Sequence, residues 1–167
     1  MGLAALHPQE DPKTGTKMEN FEPLAGSVVV LAYNDLGKVE GISVQVRELS
    51  DDKGGQARGI LIEVNQDEYH RQASFIDEDE IEELLKGFDA LMAVTSNPTK
   101  FDNFEVRYKT KGGFQLTAYN TFRGSLFFAV KAGSGAIAQK FNLGIQHLRN
   151  IRKLVEDAGE KLRTLNT

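Results

Sequence analysis

The feature that most constrains the fold is an apolar stripe that occurs twice with the same spacing. Four residues recur at spacings of three, four and three in each half of the chain, 67 residues apart: Ile81, Leu84, Phe88 and Leu91, then Leu148, Ile151, Val155 and Ala158. This spacing places each set on one face of an amphipathic helix. A strand-like alternation also repeats, with an offset of 66 residues, as Ile60, Ile62 and Val64, then Leu126, Phe128 and Val130. The chain is therefore predicted to contain one structural plan twice.

Strand-like segments precede each predicted helix. Those of the first half are residues 27–33, 38–49, 57–64 and 69–76, and those of the second half are 103–111, 114–120, 125–131 and about 136–141. The first helix is predicted to run for about 17 residues up to the SNP at 96–98, and the second over about 143–163. The predicted fold class is α+β: two ββββα units, about 26–95 and 101–164, whose antiparallel sheets are each covered by one C-terminal helix. They are expected to pack as one compact domain over residues 23–167.

Residues 1–22 differ in character from the rest of the chain. They are mostly polar and show no periodicity, which predicts a flexible leader. The GLAAL stretch at 2–6 fits the remains of an export signal, although the basic region and full apolar segment are missing. The protein is expected to be periplasmic or secreted if such a signal was truncated, and otherwise cytoplasmic. No run approaches the roughly 18 apolar residues of a membrane span, so none is predicted.

Composition and charge limit the chemistry. The chain has no cysteine, which excludes disulfides, thiolate metal sites and a cysteine nucleophile. Its net charge of −4 is divided unevenly, because residues 1–95 carry 8 Lys/Arg against 19 Asp/Glu while residues 96–167 carry 12 against 5. Opposite charges in the two halves predict either a basic face for an anionic partner, or attraction between halves or between copies.

Four consecutive acids, Asp77 to Glu80, are the first candidate for a metal site. A calcium loop would need a third ligand where Ile81 stands, followed by a turn glycine, and neither is present. The pattern instead predicts Asp77 as a helix N-cap and Glu80 as its capping-box partner. No metal site is predicted here.

Other motifs for catalysis or cofactors are incomplete. The GSGAIA segment at 133–138 lies between predicted antiparallel strands rather than between a parallel strand and a helix, so a hairpin loop is expected. The histidines, His7, His70 and His147, have no metal-binding spacing. We predict no catalytic residues and no cofactor, and we expect a protein that is not an enzyme.

A basic and aromatic surface is the strongest functional indication. Alternation in the second unit directs a set of cations and aromatic rings to the outer face of its sheet: Arg107, Lys109, Lys111, Tyr119, Arg123, Phe127 and Lys131. Cations suit phosphates, and exposed rings can stack on unpaired bases. Two further interpretations remain open, namely an ordinary charged sheet facing solvent, and an oligomer interface in which another copy covers the rings.

The plan of two tandem ββββα units resembles that of the whirly and PUR-repeat families over residues 26–163. Those families bind single-stranded nucleic acid on their sheets, but the resemblance is one of plan alone and rests on no shared motif, so by itself it does not transfer their function.

In sequence, the chain resembles a bacterial family without known activity, cofactor or catalytic residues, whose members often carry an export signal. The similarity lies in TKMENFEPLAGSVVVL, ASFIDEDEIEELLKGFDAL and FEVRYKTKGGFQLTAY. Together these observations predict a non-catalytic binding or assembly module of unknown ligand, with self-association as one mode. Single-stranded nucleic-acid binding through the outer sheet is the alternative.

Overall fold

The first unit begins with a four-stranded antiparallel sheet. The computed structural model describes residues 15–121, 124–133 and 140–166. In the first sheet, neighbouring strands follow chain order: β1 (Val29–Val39), β2 (Ile42–Asp51), β3 (Gln56–Asn65) and β4 (Arg71–Asp77). A short 3-10 turn, Glu78–Glu80, then leads into helix α1 (Ile81–Met92).

The second unit repeats this order. Its sheet consists of β5 (Glu105–Lys109), β6 (Gln115–Asn120), β7 (Leu126–Lys131) and β8 (Phe141–Leu143). Helix α2 (Ile145–Thr164) ends the unit. The two antiparallel ββββα units predicted from the sequence are therefore confirmed.

Element boundaries differ from the prediction mainly around β1. The segment 38–49, predicted as one strand, is split by a tight turn at Glu40 and Gly41, so that β1 extends to Val39 and β2 begins at Ile42. The Asn65 N–H donates to the Gly41 carbonyl at 2.8 Å, and this bond places the turn beside the end of β3. Helix α1 is also shorter than predicted, at 12 residues.

The two helices are exchanged between the sheets. Helix α1 packs against β5 and β6 of the second sheet, whereas α2 packs mainly against β1 and β2 of the first, and the helices contact each other. Two glycines permit the close approach: Gly87 of α1 faces the Tyr108 ring, and Gly37 of β1 faces Leu154 of α2. Each sheet is thus covered by one helix, but by the helix of the other unit.

Exchange of the helices produces one hydrophobic core. Side chains from both sheets and both helices belong to a single buried cluster, with Ile60, Phe88, Phe114 and Ile151 among its fully buried members. Within the described residues, neither helix is long and apolar enough to cross a membrane.

A turn near the N-terminus docks on the first sheet. Thr16 and Met18 are buried, and Met18 lies close to Gly59 on the outer face. The turn forms a reciprocal capping box, because the Glu19 N–H donates to Thr16 Oγ1 at 3.1 Å and the Thr16 N–H donates to Glu19 Oε2 at 3.0 Å. The predicted leader of residues 1–22 therefore includes a docked turn, and residues 1–14 lie outside the described residues.

Candidate binding surfaces

The structure brings most of the predicted basic and aromatic residues onto one face of the second sheet. Arg107, Tyr119 and Phe127 lie on the outer face, where Tyr119 is paired with Phe127 across β6 and β7. Lys111 lies in the turn that joins β5 to β6. Arg123 lies outside the described residues. We call this set of side chains, with Lys109 and Lys131, the outer-face surface.

An aromatic pair forms the centre of the outer-face surface. The rings of Tyr119 and Phe127 stack with centroids 6.0 Å apart and planes inclined by 27°. Phe127 is 41% exposed, and the Tyr119 hydroxyl donates to Asn142 Oδ1 at 2.8 Å. The Lys140 ammonium lies 5.7 Å from the Tyr119 ring centroid. The hydrogen bond and the stacking hold the two rings in a fixed position on the sheet.

Glu105 pairs with two of the cations around these rings. Its Oε1 accepts a hydrogen bond from the Lys140 ammonium at 2.7 Å, and its Oε2 accepts one from Arg107 Nε at 2.9 Å. The hydrogen bond from Lys140, and then that from Arg107, hold the pKa of Glu105 below its usual value. These two cations are thus already paired within the protein.

The remaining cations of the outer-face surface are exposed or half-buried. Lys109 and Lys131 flank Gln115 in one row across the sheet, and Lys111 lies beyond the end of β5. Among the described residues none of the three lysines forms an ion pair. Lys109 and Lys131 can therefore meet an external anion without first losing an ion pair, whereas the charge of Lys111 also acts on Asp79 and helps to lower its pKa.

The acidic cluster has a different role from the predicted capping box. Asp77 is 2% exposed, and its carboxylate accepts the backbone N–H groups of Lys17 at 2.7 Å and Met18 at 3.3 Å. Glu80 accepts the backbone N–H of Lys111 at 2.9 Å. Asp77 does occupy the N-cap position of the 3-10 turn, but neither side chain makes a capping hydrogen bond, so the predicted capping box is wrong. The carboxylates instead tie the N-terminal turn and the β5–β6 turn to the start of α1.

The histidines are the other candidates for metal binding or catalysis. His70 pairs with Asp67 at 2.7 Å, and His147 pairs with Glu40 at 3.1 Å, on different parts of the surface. Across residues 15–121, 124–133 and 140–166, no three histidine or acidic side chains are grouped so as to hold a metal ion. His7 and most of the GSGAIA segment lie outside these ranges.

A second surface, the exposed edge of the first sheet, was not identified from the sequence. Strand β1 is the first strand of the sheet, and its side chains are exposed on both faces from Val29 to Asp35. Val28 is 65% exposed, Leu31 46% and Tyr33 57%. We call residues 28–34 the β1 edge. It is an apolar strand edge, a feature that soluble proteins usually avoid.

The backbone of the β1 edge presents open hydrogen-bonding groups. The Val28 carbonyl accepts the Asp52 N–H at 3.2 Å, and the Val28 N–H donates to Asp52 Oδ1 at 3.1 Å, so both groups face the β2 side. Since successive strand residues point their backbone groups to opposite sides, those of Val29, Leu31 and Tyr33 face away from β2. Among the described residues, β2 is the one strand that pairs with β1.

A groove of about 360 Å³ lies beside the β1 edge. Its walls are the inner side of β1 around Ala32 and Asn34, and the C-terminal end of α2 at Leu162 and Leu165. Arg58, which also lines the groove, bonds to Glu48 and Asn166. The groove extends the apolar surface of the edge toward the core.

One sequence signal could have indicated the β1 edge. The run VVVLAY at 28–33 is apolar at every position instead of alternating, which is typical of a strand covered on both faces. In a sheet whose strands follow chain order, however, the first strand lies at the edge. An apolar strand in an edge position predicts an exposed, unpartnered strand.

Comparison with known proteins adds no family to these observations. No protein-family model matches the chain, and no curated protein matches it. The functional argument therefore rests on the two surfaces themselves.

Proposed function

We propose that this protein is a non-catalytic assembly module whose β1 edge accepts an extended polypeptide strand. The observation that supports it best is the combination of open backbone groups at Val29, Leu31 and Tyr33 with exposed apolar side chains along the same strand. Strand addition gains affinity from main-chain hydrogen bonds and specificity from alternate side chains, and the β1 edge offers both.

The groove beneath the edge supports the same function. An added strand would direct alternate side chains to the inner side, where Leu165, 50% exposed, lines the groove. On the outer side, the incoming side chains would lie against Leu31 and Tyr33. Both faces of an added strand would therefore find apolar partners.

Substitution of Leu31 by proline tests the proposal. The Leu31 N–H faces away from β2, so Leu31→Pro removes an open donor and blocks an incoming strand while the pairing with β2 is retained. We expect the wild-type chain to associate with itself or to bind a labelled peptide of residues 28–34, flanked by lysines for solubility. Both activities should be lost in Leu31→Pro, as measured by sedimentation velocity and fluorescence anisotropy.

A matched control removes an exposed ring elsewhere. Tyr69 is 88% exposed on the turn before β4, and Tyr69→Ala should leave association and peptide binding unchanged. Circular dichroism should show that Leu31→Pro keeps its fold. The proposal is wrong if the wild-type chain neither associates nor binds the peptide, or if a folded Leu31→Pro variant retains both activities.

Single-stranded nucleic-acid binding through the outer-face surface is a second candidate function. The observation that favours it is the stack of the exposed Phe127 on the half-buried Tyr119, with cations around it. Bases stack on such rings with little sequence preference. Since Glu105 already pairs with Arg107 and Lys140, phosphate contacts would depend chiefly on Lys109, Lys111 and Lys131, which form no ion pair with the residues that the structure describes.

The salt dependence of oligonucleotide binding tests this second function. Three phosphate contacts predict a slope of log affinity against log salt of roughly −2 for a single strand. We expect a labelled 15-residue oligothymidine to bind at low salt and to lose binding in an Arg107/Lys109/Tyr119 triple alanine variant. The variant Lys38→Ala/Lys53→Ala, which removes two cations of the first unit, is the control. Absence of binding by the wild-type chain at low salt would exclude this function.

A further inference from the structure

We infer that the strand accepted by the β1 edge is the β1 edge of a second copy, paired antiparallel about a two-fold axis at Leu31. The inference rests on the proposed function and names its partner. The two sheets would then join into one continuous eight-stranded sheet, with β1 of each copy at the centre.

The limits of the usable edge determine where the axis lies. At one end, Val28 is the first residue with both backbone groups bonded toward β2. At the other end, the first charged side chain is Asp35, and the pairing of β1 with β2 shifts register immediately afterwards. Bulges of this kind terminate further pairing. The usable segment is therefore residues 28–34, and its midpoint is Leu31.

Hydrogen-bond geometry agrees with this midpoint. In antiparallel pairing about Leu31, each Leu31 faces the other, and Val29 of one copy faces Tyr33 of the other. These are the three residues whose backbone groups point away from β2, so each pair exchanges two bonds and roughly six form in total. An axis at Leu31 satisfies all the open groups of the edge.

Side-chain complementarity favours a second copy over an unrelated strand. About this axis the outer side receives a Leu31 pair between two pairs of Val29 with Tyr33, and β-branched residues and aromatic rings are favourable cross-strand partners. On the inner side, Val30 faces Ala32.

Charge is also compatible with two-fold pairing. Symmetric pairing tends to place like charges close together, which is unfavourable. Residues 24–34 carry no charge, and Asp35 of one copy would face Ser27 of the other instead of a second Asp35. The edge can therefore meet itself without repulsion between the charges nearest the axis.

The area is sufficient for a weak, specific dimer. Each copy exposes five large apolar side chains in this stretch: Val28, Val29, Val30, Leu31 and Tyr33. Two copies together would bury on the order of 1,000 Å², at the lower end of stable interfaces. Leu165, next to the edge and 50% exposed, adds apolar surface at its margin.

Engineered cysteines can locate the axis, because the natural chain has none. Residues directly opposite in a hydrogen-bonded pair have Cα atoms about 5.5 Å apart, within the range of a disulfide. We expect Leu31→Cys to form a disulfide dimer under mild oxidation. Val29→Cys or Tyr33→Cys alone should form little, whereas an equal mixture of the two should form the mixed dimer.

Controls separate this inference from the proposed function. The exposed Tyr69→Cys variant reports random cross-linking, and light scattering of the wild-type chain reports its mass without cross-links. Wild-type chains that remain monomeric, together with Leu31→Cys dimers no more abundant than those of Tyr69→Cys, would overturn the second-copy inference. If such monomers still bind the peptide of residues 28–34 and Leu31→Pro does not, strand addition stands with another partner. If the peptide also fails to bind, both conclusions are wrong.

Discussion

Strands β1 and β5 begin the two units at corresponding positions, yet their edges are built differently. β5 has 5 residues, and charged Glu105, Arg107 and Lys109 alternate along it. β1 has 11 residues, and it carries no charge before Asp35. Short strands and charged side chains are the usual protection against unwanted strand pairing. The second unit has this protection, whereas the first lacks it over residues 28–34.

The outer faces of the two sheets show the opposite difference. The first sheet has its outer face partly covered by the N-terminal turn, which Asp77 holds in place. On the outer face of the second sheet, Phe127 is 41% exposed and stacks on the half-buried Tyr119, while the neighbouring Thr117 and Ala129 are buried. The two units share one plan, yet one exposes a strand edge and the other exposes an aromatic ring on its sheet face.

A charged residue at position 31 should have the largest effect on self-association through the β1 edge. Leu31→Lys places two like charges at the proposed axis and removes the central apolar contact, so we expect the association to weaken on the order of 1,000-fold. Leu31→Glu should have the same effect. Sedimentation equilibrium measures the dissociation constant of the dimer for each variant.

Mixing the two charge variants provides the decisive control. Equal amounts of Leu31→Lys and Leu31→Glu should form a mixed dimer, because the charges at the axis then attract. Association that persists unchanged in either variant alone would show that the β1 edge is not the interface.

Removal of the Asp77 carboxylate should uncover the outer face of the first sheet. Asp77→Ala leaves the N–H groups of Lys17 and Met18 without their acceptor, and we expect the free energy of unfolding to fall by about 3 kcal/mol. Urea denaturation measures the loss. The control is Asp79→Ala, whose exposed carboxylate pairs with the Lys17 ammonium and should cost less than about 1 kcal/mol. Equal losses in the two variants would contradict the role assigned to Asp77.

The capping box of the N-terminal turn should contribute less to the free energy of unfolding than the Asp77 carboxylate does. Thr16→Val keeps the side-chain volume but removes the hydroxyl that accepts the Glu19 N–H, so we expect a loss of about 1 kcal/mol. Glu19→Gln retains an acceptor for the Thr16 N–H and should lose less. Thermal unfolding compares the two, and a Thr16→Val variant as stable as the wild type would show that the box is not needed.

The smallest expected effect is a change in the pKa of Glu105, which lies beside the outer-face surface of the second unit. In Lys140→Ala the pKa of Glu105 should rise toward its ordinary value, because its first stabilising hydrogen bond is lost. The depressed folded-state pKa contributes stability above the unfolded pKa, and this is lost as pH falls through the folded pKa. In the variant this contribution should be smaller, and its loss should be complete at a higher pH, because the folded-state pKa lies closer to the unfolded one. An NMR titration of Glu105 that is unchanged in the variant would contradict the pairing with Lys140.

Local patterns in the sequence predict most of the architecture. The stripes beginning at Ile81 and Leu148, and the alternation at Ile60 and Leu126, depend on neighbouring residues, so they give the order of strands and helices. They cannot tell which sheet each helix covers, since an apolar face fits either sheet. The Glu40 turn was also missed, because a non-glycine residue adopts a positive φ of 53° there.

Long-range contacts explain what the sequence could not predict at the surfaces. The pattern at Asp77 indicates an N-cap, but tertiary hydrogen bonds from Lys17 and Met18, about 60 residues away, engage the carboxylate instead. Likewise Lys140 pairs with Glu105 across 35 residues, and the outer-face surface is therefore less cationic than the alternation of β5 suggests. The alternation predicts that most of these side chains share one face of the sheet, but it does not predict how they pair.

The exchange of helices makes the two halves of the chain dependent on each other. Cleavage in the connection between α1 and β5 would give two fragments, each carrying the helix that fits the sheet of the other. Neither fragment could shield its own sheet, yet mixing them would restore the core. The chain is therefore a natural candidate for a split reporter, whose two pieces acquire structure only when they are brought together.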